Sequence, residues 1–391
     1  MRHLKIKFFA CGIAALFALT ANAQWIWTGA ENNNFSNPEN WLVGGSVPAS
    51  GPSSSTENYE FNLAGGGTIE VDGNFGFNSI TFGSSAGSFT FNGGQLRGSG
   101  GQFAQGFTRT INQNSSATQT FNTAFNWMNT NAQNFVLNAN SGDLILSNVG
   151  VSNQGVGYSI NGDHKVSIGN VATDREIRRF TGNGTLEITG STNRTSTYDV
   201  DLHTMLVTNT SGNALGGTNP TFQSGSRLAG TGTVSSGTLT FNDGGIISPG
   251  MHGNNVPSGN EIGTLTSNNM VLNEGFVYDW DFTASDSDRF VLTGELNLSA
   301  SNSDLSVINL IGDMNDFDPF SNNVLFSFDT VEGASDGTVL SWSVNNNGSE
   351  TGYFAVVSGN DVILSIPEPG TLMFILFAGL LGMAGYRRRR N

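Results

Sequence analysis

The chain has 391 residues, of which 12% are charged, with 52 glycines, one cysteine and a formal net charge of −15. So many glycines beside abundant Asn, Ser and Thr exclude a helical bundle and predict short strands joined by turns. The acidic balance repels nucleic acid and anionic lipid. The lone Cys11 lies in the N-terminal apolar stretch, so the mature chain has no disulfide, thiolate nucleophile or cysteine metal site.

The first element is "MRHLKIKFFACGIAALFALTANAQ". Arg2, Lys5 and Lys7 form a basic start, residues 8–19 are apolar, and Ala21 and Ala23 flank Asn22. This is the pattern of a secretory signal peptide cut after Ala23, so residues 1–23 are expected to leave as the Sec machinery exports the chain. Cys11 precedes most of the apolar run, which excludes a lipoprotein. Of the 16 Lys and Arg, seven sit in the two terminal signals (Arg2, Lys5, Lys7 and Arg387 to Arg390). Of the 31 Asp and Glu, only Glu368 does. The body keeps 9 basic and 30 acidic residues, a net charge of −21.

From residue 24 onward, turn clusters alternate with short runs of period two. In "GGGTIEVDG" Ile69 and Val71 share a face, and in "GSFTFNGGQL" Phe89 and Phe91 do. "NGTLEITG", "GTLTFNDGG" and "GNDVILSI" repeat the arrangement. The irregular spacing fits a parallel β-helix with variable turns, and also a series of β-sandwich pieces. "DREIRRF" brings together Arg175, Arg178 and Arg179, which read as a surface salt-bridge cluster or an anion contact. Asn183, Asn193, Asn209 and Asn347 begin Asn-x-Ser/Thr triplets, which occur by chance in so Asn- and Thr-rich a chain.

In "EGFVYDWDFT", Phe276, Tyr278, Trp280 and Phe282 face one way, and Val277, Asp279 and Asp281 the other. An aromatic side of this length is expected to pack inward, with a sugar-stacking platform as the alternative. The segment 301–366 reads as the last coils or a β-rich cap, after a body over 24–300.

Residues 228–266, "LAGTGTVSSGTLTFNDGGIISPGMHGNNVPSGNEIGTLT", resemble autotransporter-type β-strand repeats. The matching parts are Gly230 to Val234, Gly244 to Gly250, and Ile262 to Thr266. "SDSDRFVLTGELNLS" continues the pattern with Asp288 and Gly294. "WTGAENNNFSNPENWLVGGSVP", with Trp27, Trp41 and Pro48, is similar to the opening motif of such passengers. The resemblance implies an all-β, right-handed parallel β-helix. No C-terminal barrel accompanies it, so self-transport is not implied. Physically these motifs are turn chemistry, with Gly supplying positive φ and Ser-Pro-Gly a tight corner.

Reactive chemistry is sparse. His164, His203 and His252 show no metal spacing, and no phosphate-binding loop is present. The carboxylates are the better candidates. Asp279 with Asp281, Asp286 with Asp288, and the group Asp313, Asp316 and Asp318 have the chemistry for acid pairs or a loose Ca²⁺ site, against a plain solvated acidic face. Neither stretch matches a Ca²⁺ loop. No catalytic residue, metal ligand or cofactor is assigned.

The chain closes on "IPEPGTLMFILFAGLLGMAGYRRRRN". As a helix, residues 371–386 would be about 24 Å long, short for a ~30 Å hydrocarbon core. Arg387, Arg388, Arg389 and Arg390 favour a cytoplasmic end, while the signal peptide places the body on the opposite side. The order of Pro367, Glu368 and Pro369, an apolar helix and a terminal arginine cluster resembles the PEP-CTERM sorting signal of Gram-negative bacteria that make exopolysaccharide. The resemblance implies recognition by exosortase, an integral-membrane cysteine protease that removes the tail (residues 367–391). The expectation is an exported, non-enzymatic protein, held transiently at the inner membrane and then placed at the cell surface or in an extracellular matrix with exopolysaccharide. A polysaccharide-binding or polysaccharide-cleaving β-helix, or an adhesin, is the alternative.

Overall fold

A computed structural model describes residues 24–366 apart from 53–56, 98–107, 128–132, 152–155, 174–176, 193–196, 252–261 and 319–322. The signal peptide and the sorting tail lie outside the described residues. Among those described, structure is built from strands with one short 3-10 turn, Pro38–Asn40, and no helix is long and apolar enough to cross a membrane.

Most strands pair in parallel with the equivalent strand one turn of chain later, a solenoid pattern of pairing. On the first face, Trp25, Tyr59, Ile80, Ile111, Leu137 and Ile160 follow one another in register. On the second face, one row runs from Leu144 through Val166, Leu186, Met205, Leu228, Ile247, Tyr278 and Ile308 to Val344. The third face is made in the N-terminal half by Phe75, Leu96, Phe125 and Val149. In the C-terminal half it is made by Leu265, Phe290 and Phe326.

Alternation explains these rows. A strand residue and its second neighbour point to the same side, so the period-two apolar positions all enter one continuous core. Stacking identical rings between coils adds contact beyond area burial. Phe91 and Phe121 lie 4.5 Å apart at 11°, and Phe222 and Phe241 4.8 Å apart at 10°. The turns are not uniform. The step from Phe222 to its partner Phe241 is short, whereas Leu296 to Val331 takes a longer excursion. Irregular strand spacing in the sequence therefore reflects turns of variable length on one regular stack.

Antiparallel strands cover part of each end of the stack, where short edge strands limit templating of aggregation. At the start, Gln24–Trp27 pairs with Trp41–Val43. At the end, the second face continues through Val307–Ile311 to Ser343–Asn346. The hairpin Phe354–Ser358 and Asp361–Ser365 then adds antiparallel to Asn323–Ser327.

Candidate functional site

The aromatic side of "EGFVYDWDFT" is core. Phe276, Tyr278 and Trp280 are fully buried and Phe282 nearly so. Trp280 stacks on Phe282 at 5.4 Å, Phe317 packs edge-on against both rings, and the Tyr278 hydroxyl donates to the Leu325 carbonyl at 3.1 Å. These rings form no sugar platform.

The opposite side departs from a solvated acidic face. Asp279 and Asp281 alternate with the inward rings yet are buried. Arg227, two coils back, places Nη2 2.7 Å from Asp279 Oδ2, and Asn309 Nδ2 donates to Oδ1 at 2.7 Å. Asp281 is covered by the corner that follows it. There the Thr283 N–H donates to the Asp286 carbonyl at 2.8 Å, and the Asp288 N–H returns to the Asp281 carbonyl at 2.8 Å.

Asp288 is the centre of this corner and is fully buried. Its Oδ1 accepts the Gly263 N–H at 2.8 Å and its Oδ2 the Asp281 N–H at 3.1 Å, while its carbonyl accepts Trp280 Nε1–H at 2.7 Å. One carboxyl thus ties together the end of the second-face strand Val277–Asp281 and the starts of the third-face strands Thr264–Ser267 and Arg289–Leu292. Burial pushes its pKa up to about 9. The two backbone N–H donors oppose that shift, and the Asp281 carboxyl adds to it by repulsion and by sharing the proton. Burial and the same two carboxyls also raise the Tyr278 hydroxyl.

The sign of the pH dependence follows. The folded pKa of Asp288 lies above its ordinary value of 3.8, so the folded chain holds a proton that the unfolded chain releases. Its stabilising contribution is full below that ordinary value and drains away as pH rises to about 9. The limiting slope is about 1.4 kcal/mol per pH unit. Asp288→Asn, which cannot ionise, is expected to melt with a flatter profile than the wild type between pH 5 and 9. Parallel profiles would show that Asp288 is ionised in the folded chain.

Beside this corner lies an open cleft of about 280 Å³ lined by Thr283 to Ser287, Asp316, Phe317, Asp318 and Asn323. The nearby Asp313 Oδ1 is occupied within its own turn, by the Asn315 N–H at 2.9 Å and Asn315 Nδ2 at 2.8 Å. Asp279 is engaged by Arg227 and Asn309. No group of three or more His, Cys, Asp or Glu among the described residues is placed to hold a metal ion. Asp286 and Asp288 do not meet as a pair of exposed acids. Asp286 lines the cleft, and Asp288 is sealed beneath it.

The remaining polar residues are arranged along the coil axis. His164 Nδ1 lies 3.5 Å from Asp143 Oδ1, and His203 Nδ1 3.1 Å from Thr204 Oγ1. His252, Arg175 and Asn193 lie outside the described residues. Arg179 pairs with Asp201 at 2.9 Å on the surface. Glu187, which sequence reasoning passed over, is buried on the second face. Burial opposes its ionised form, but Ser167 Oγ at 2.5 Å, Lys165 Nζ at 2.9 Å and Thr208 Oγ1 at 3.0 Å prevail and hold its carboxyl below the usual range. Arg109 is a second buried charge missed by the sequence reading, with Nη1 3.1 Å from Asn78 Oδ1.

Amide ladders are the most repetitive feature. Asn112 Nδ2 donates to Thr81 Oγ1 at 3.3 Å, Asn138 Nδ2 to Asn112 Oδ1 at 2.8 Å, and Asn161 Nδ2 to Asn138 Oδ1 at 3.0 Å. A second ladder runs from Asn273 through Asn242 and Gln223 to Asp199. A period-two strand with Asn on its polar side is visible in the sequence. Which Asn meets which requires the coil register.

The residues of the sorting signal, Pro367, Glu368, Pro369 and Arg387 to Arg390, lie outside the described residues, as do Ala21 and Ala23 of the signal-peptide site. Comparison with protein families matches residues 365–390 to the PEP-CTERM protein-sorting motif. No curated protein matches the chain. The motif implies export, a membrane-anchored intermediate, processing by exosortase and arrival at the cell surface.

Proposed function

We propose that this chain is an exported, non-enzymatic structural protein of the cell surface or extracellular matrix, sorted by exosortase through its tail and associated with exopolysaccharide. The observation that carries the reading is the sorting motif over 365–390. The body supports it. Three of its buried carboxyls are spent on architecture: Asp288 on backbone N–H groups, Asp279 on Arg227, and Glu187 on Lys165. A right-handed β-helix is the geometry that fits, because parallel strands in one sheet are almost always joined by right-handed crossings.

Intact mass of the protein from a native host, combined with cell fractionation, tests the reading. The expected product lacks residues 1–23 and the arginine-ended tail and is found in medium or matrix. Retention of Arg387 to Arg390 in an inner-membrane species would overturn sorting by cleavage and leave a tethered periplasmic protein.

A further inference from the structure

We propose that the outer surface of the first face, from strand Ser79–Phe82 to strand Ile177–Ile188, is a docking strip for an extended, uncharged glycan. This deepens the matrix reading above and rests on it for its biological setting. Three observations carry it.

The first is charge. The row Thr81, Asn112, Asn138 and Asn161 contains no ionisable side chain. The row beside it, from Ser79 and Thr110 to Ser159 and Thr181, contains none either. Glu60 and Asp201 bound these two rows at their ends, each in register with them, and Arg179, which closes the adjacent outward row Thr108, Asn134 and Gly157, bounds them at the side. The body carries a net charge of −21, and these two rows contribute none of it. They spare an uncharged ligand desolvation of fixed charges, whereas the surrounding field repels an anionic polymer.

The second is hydrogen-bonding capacity. A side-chain amide has two N–H donors and a carbonyl with two lone pairs. Within the ladder, Asn112 and Asn138 each spend one donor and one acceptor on the neighbouring coil. The remaining donor and acceptor recur about every 4.8 Å along the axis. Sugar hydroxyls donate and accept, and so match such an array. These side chains are partly exposed and already fixed by their neighbours, which lowers the ordering cost of binding.

The third is size. Five coils at about 4.8 Å, crossed by two outward rows about 6.7 Å apart, give a strip of roughly 300 Å². A stable protein partner needs about 800 Å² on each side. The strip is long, narrow and flat, which suits a polymer strand better than a second copy of the chain.

Native electrophoresis of the purified exported protein tests this, in gels cast with hydroxyethylcellulose, dextran or galactomannan, or with alginate as the anionic comparison. At least one neutral glycan is expected to lower mobility by about half, with alginate leaving it unchanged. The double variant Asn112→Asp/Asn138→Asp is expected to run as freely with that glycan as without it. Asn138→Leu keeps the strip neutral and is expected to weaken retardation at least threefold. Thermal melts of both variants establish that they are folded.

Free running of the wild type in all three neutral gels would overturn the proposal. So would retardation by alginate alone, or retardation that survives in both folded variants. Concentration-dependent dimers abolished by the same substitutions would assign the strip to a second copy instead. None of these outcomes changes the mass or location of the processed chain, so this proposal and the sorting reading fail separately.

Discussion

Trp41→Ala is expected to lower the stability of the N-terminal coils by about 3–5 kcal/mol, the range for emptying a large aromatic site. Trp41 is fully buried. It packs against Trp27 and Phe35 at 5.0 Å each, Tyr59 at 5.3 Å, Phe61 at 5.8 Å and Trp25 at 6.0 Å. Its Nε1–H donates to the Phe35 carbonyl at 2.8 Å, so the truncation also orphans a buried acceptor. The strand it begins covers the first edge of the solenoid, and in a quasi-one-dimensional stack the end coil stabilises only its neighbour. Hydrogen exchange should therefore speed up first in Gln24–Trp27, then in Asn58–Phe61, and last in coils beyond Phe82. A melt within about a degree of the wild type, or uniform exchange along the chain, would show that this cluster does not cap the stack.

Gly230→Ala is expected to be nearly as damaging for a different reason. Gly230 has φ +120, and a Cβ there would lie 1.9 Å from the Val207 carbonyl oxygen and 2.7 Å from the Val207 carbonyl carbon and nitrogen. Those atoms are backbone of the preceding coil and cannot rotate away. Gly230 and Gly250 also exchange both backbone hydrogen bonds, at 2.6 and 2.8 Å, which gives these two glycines of the repeat-like stretch 228–266 a physical role. The control is Gly225→Ala. Gly225 has φ +80 but nothing within 4 Å of a built Cβ, so it carries only the left-handed backbone cost of about 1–2 kcal/mol. Gly230→Ala should add roughly 2 kcal/mol or more of overlap strain to that cost. Urea melts of the two variants measure the difference, and equal midpoints would mean that the coils spread without penalty.

Several features were legible in the sequence for physical reasons. Period two in "SFTFNGG" and "EGFVYDWDFT" places Phe89, Phe91, Tyr278 and Trp280 on inward sides, because side-chain direction in a strand is local. The turn signals are local too, since positive φ at Gly244 and Gly250 is a property of the residue itself. The acidic body and the absence of cysteine chemistry follow from counting. The sorting motif was legible because a linear signal is read as a peptide, with no fold needed to assemble it.

What the sequence determined by itself is therefore an all-β body of short turn-joined strands, the inward side of those strands, and a terminal sorting signal. Strand spacing left parallel coils and sandwich pieces both open, and folding settles that most strands pair in parallel with the next coil, that Asp279 and Asp288 are buried, and which asparagines form a ladder. The reason is distance along the chain. Arg227 reaches Asp279 and Gly263 reaches Asp288 only after intervening turns bring them together. The fate of an outward-facing side chain is set by whichever turn covers it, and alternation within one strand carries no information about that turn.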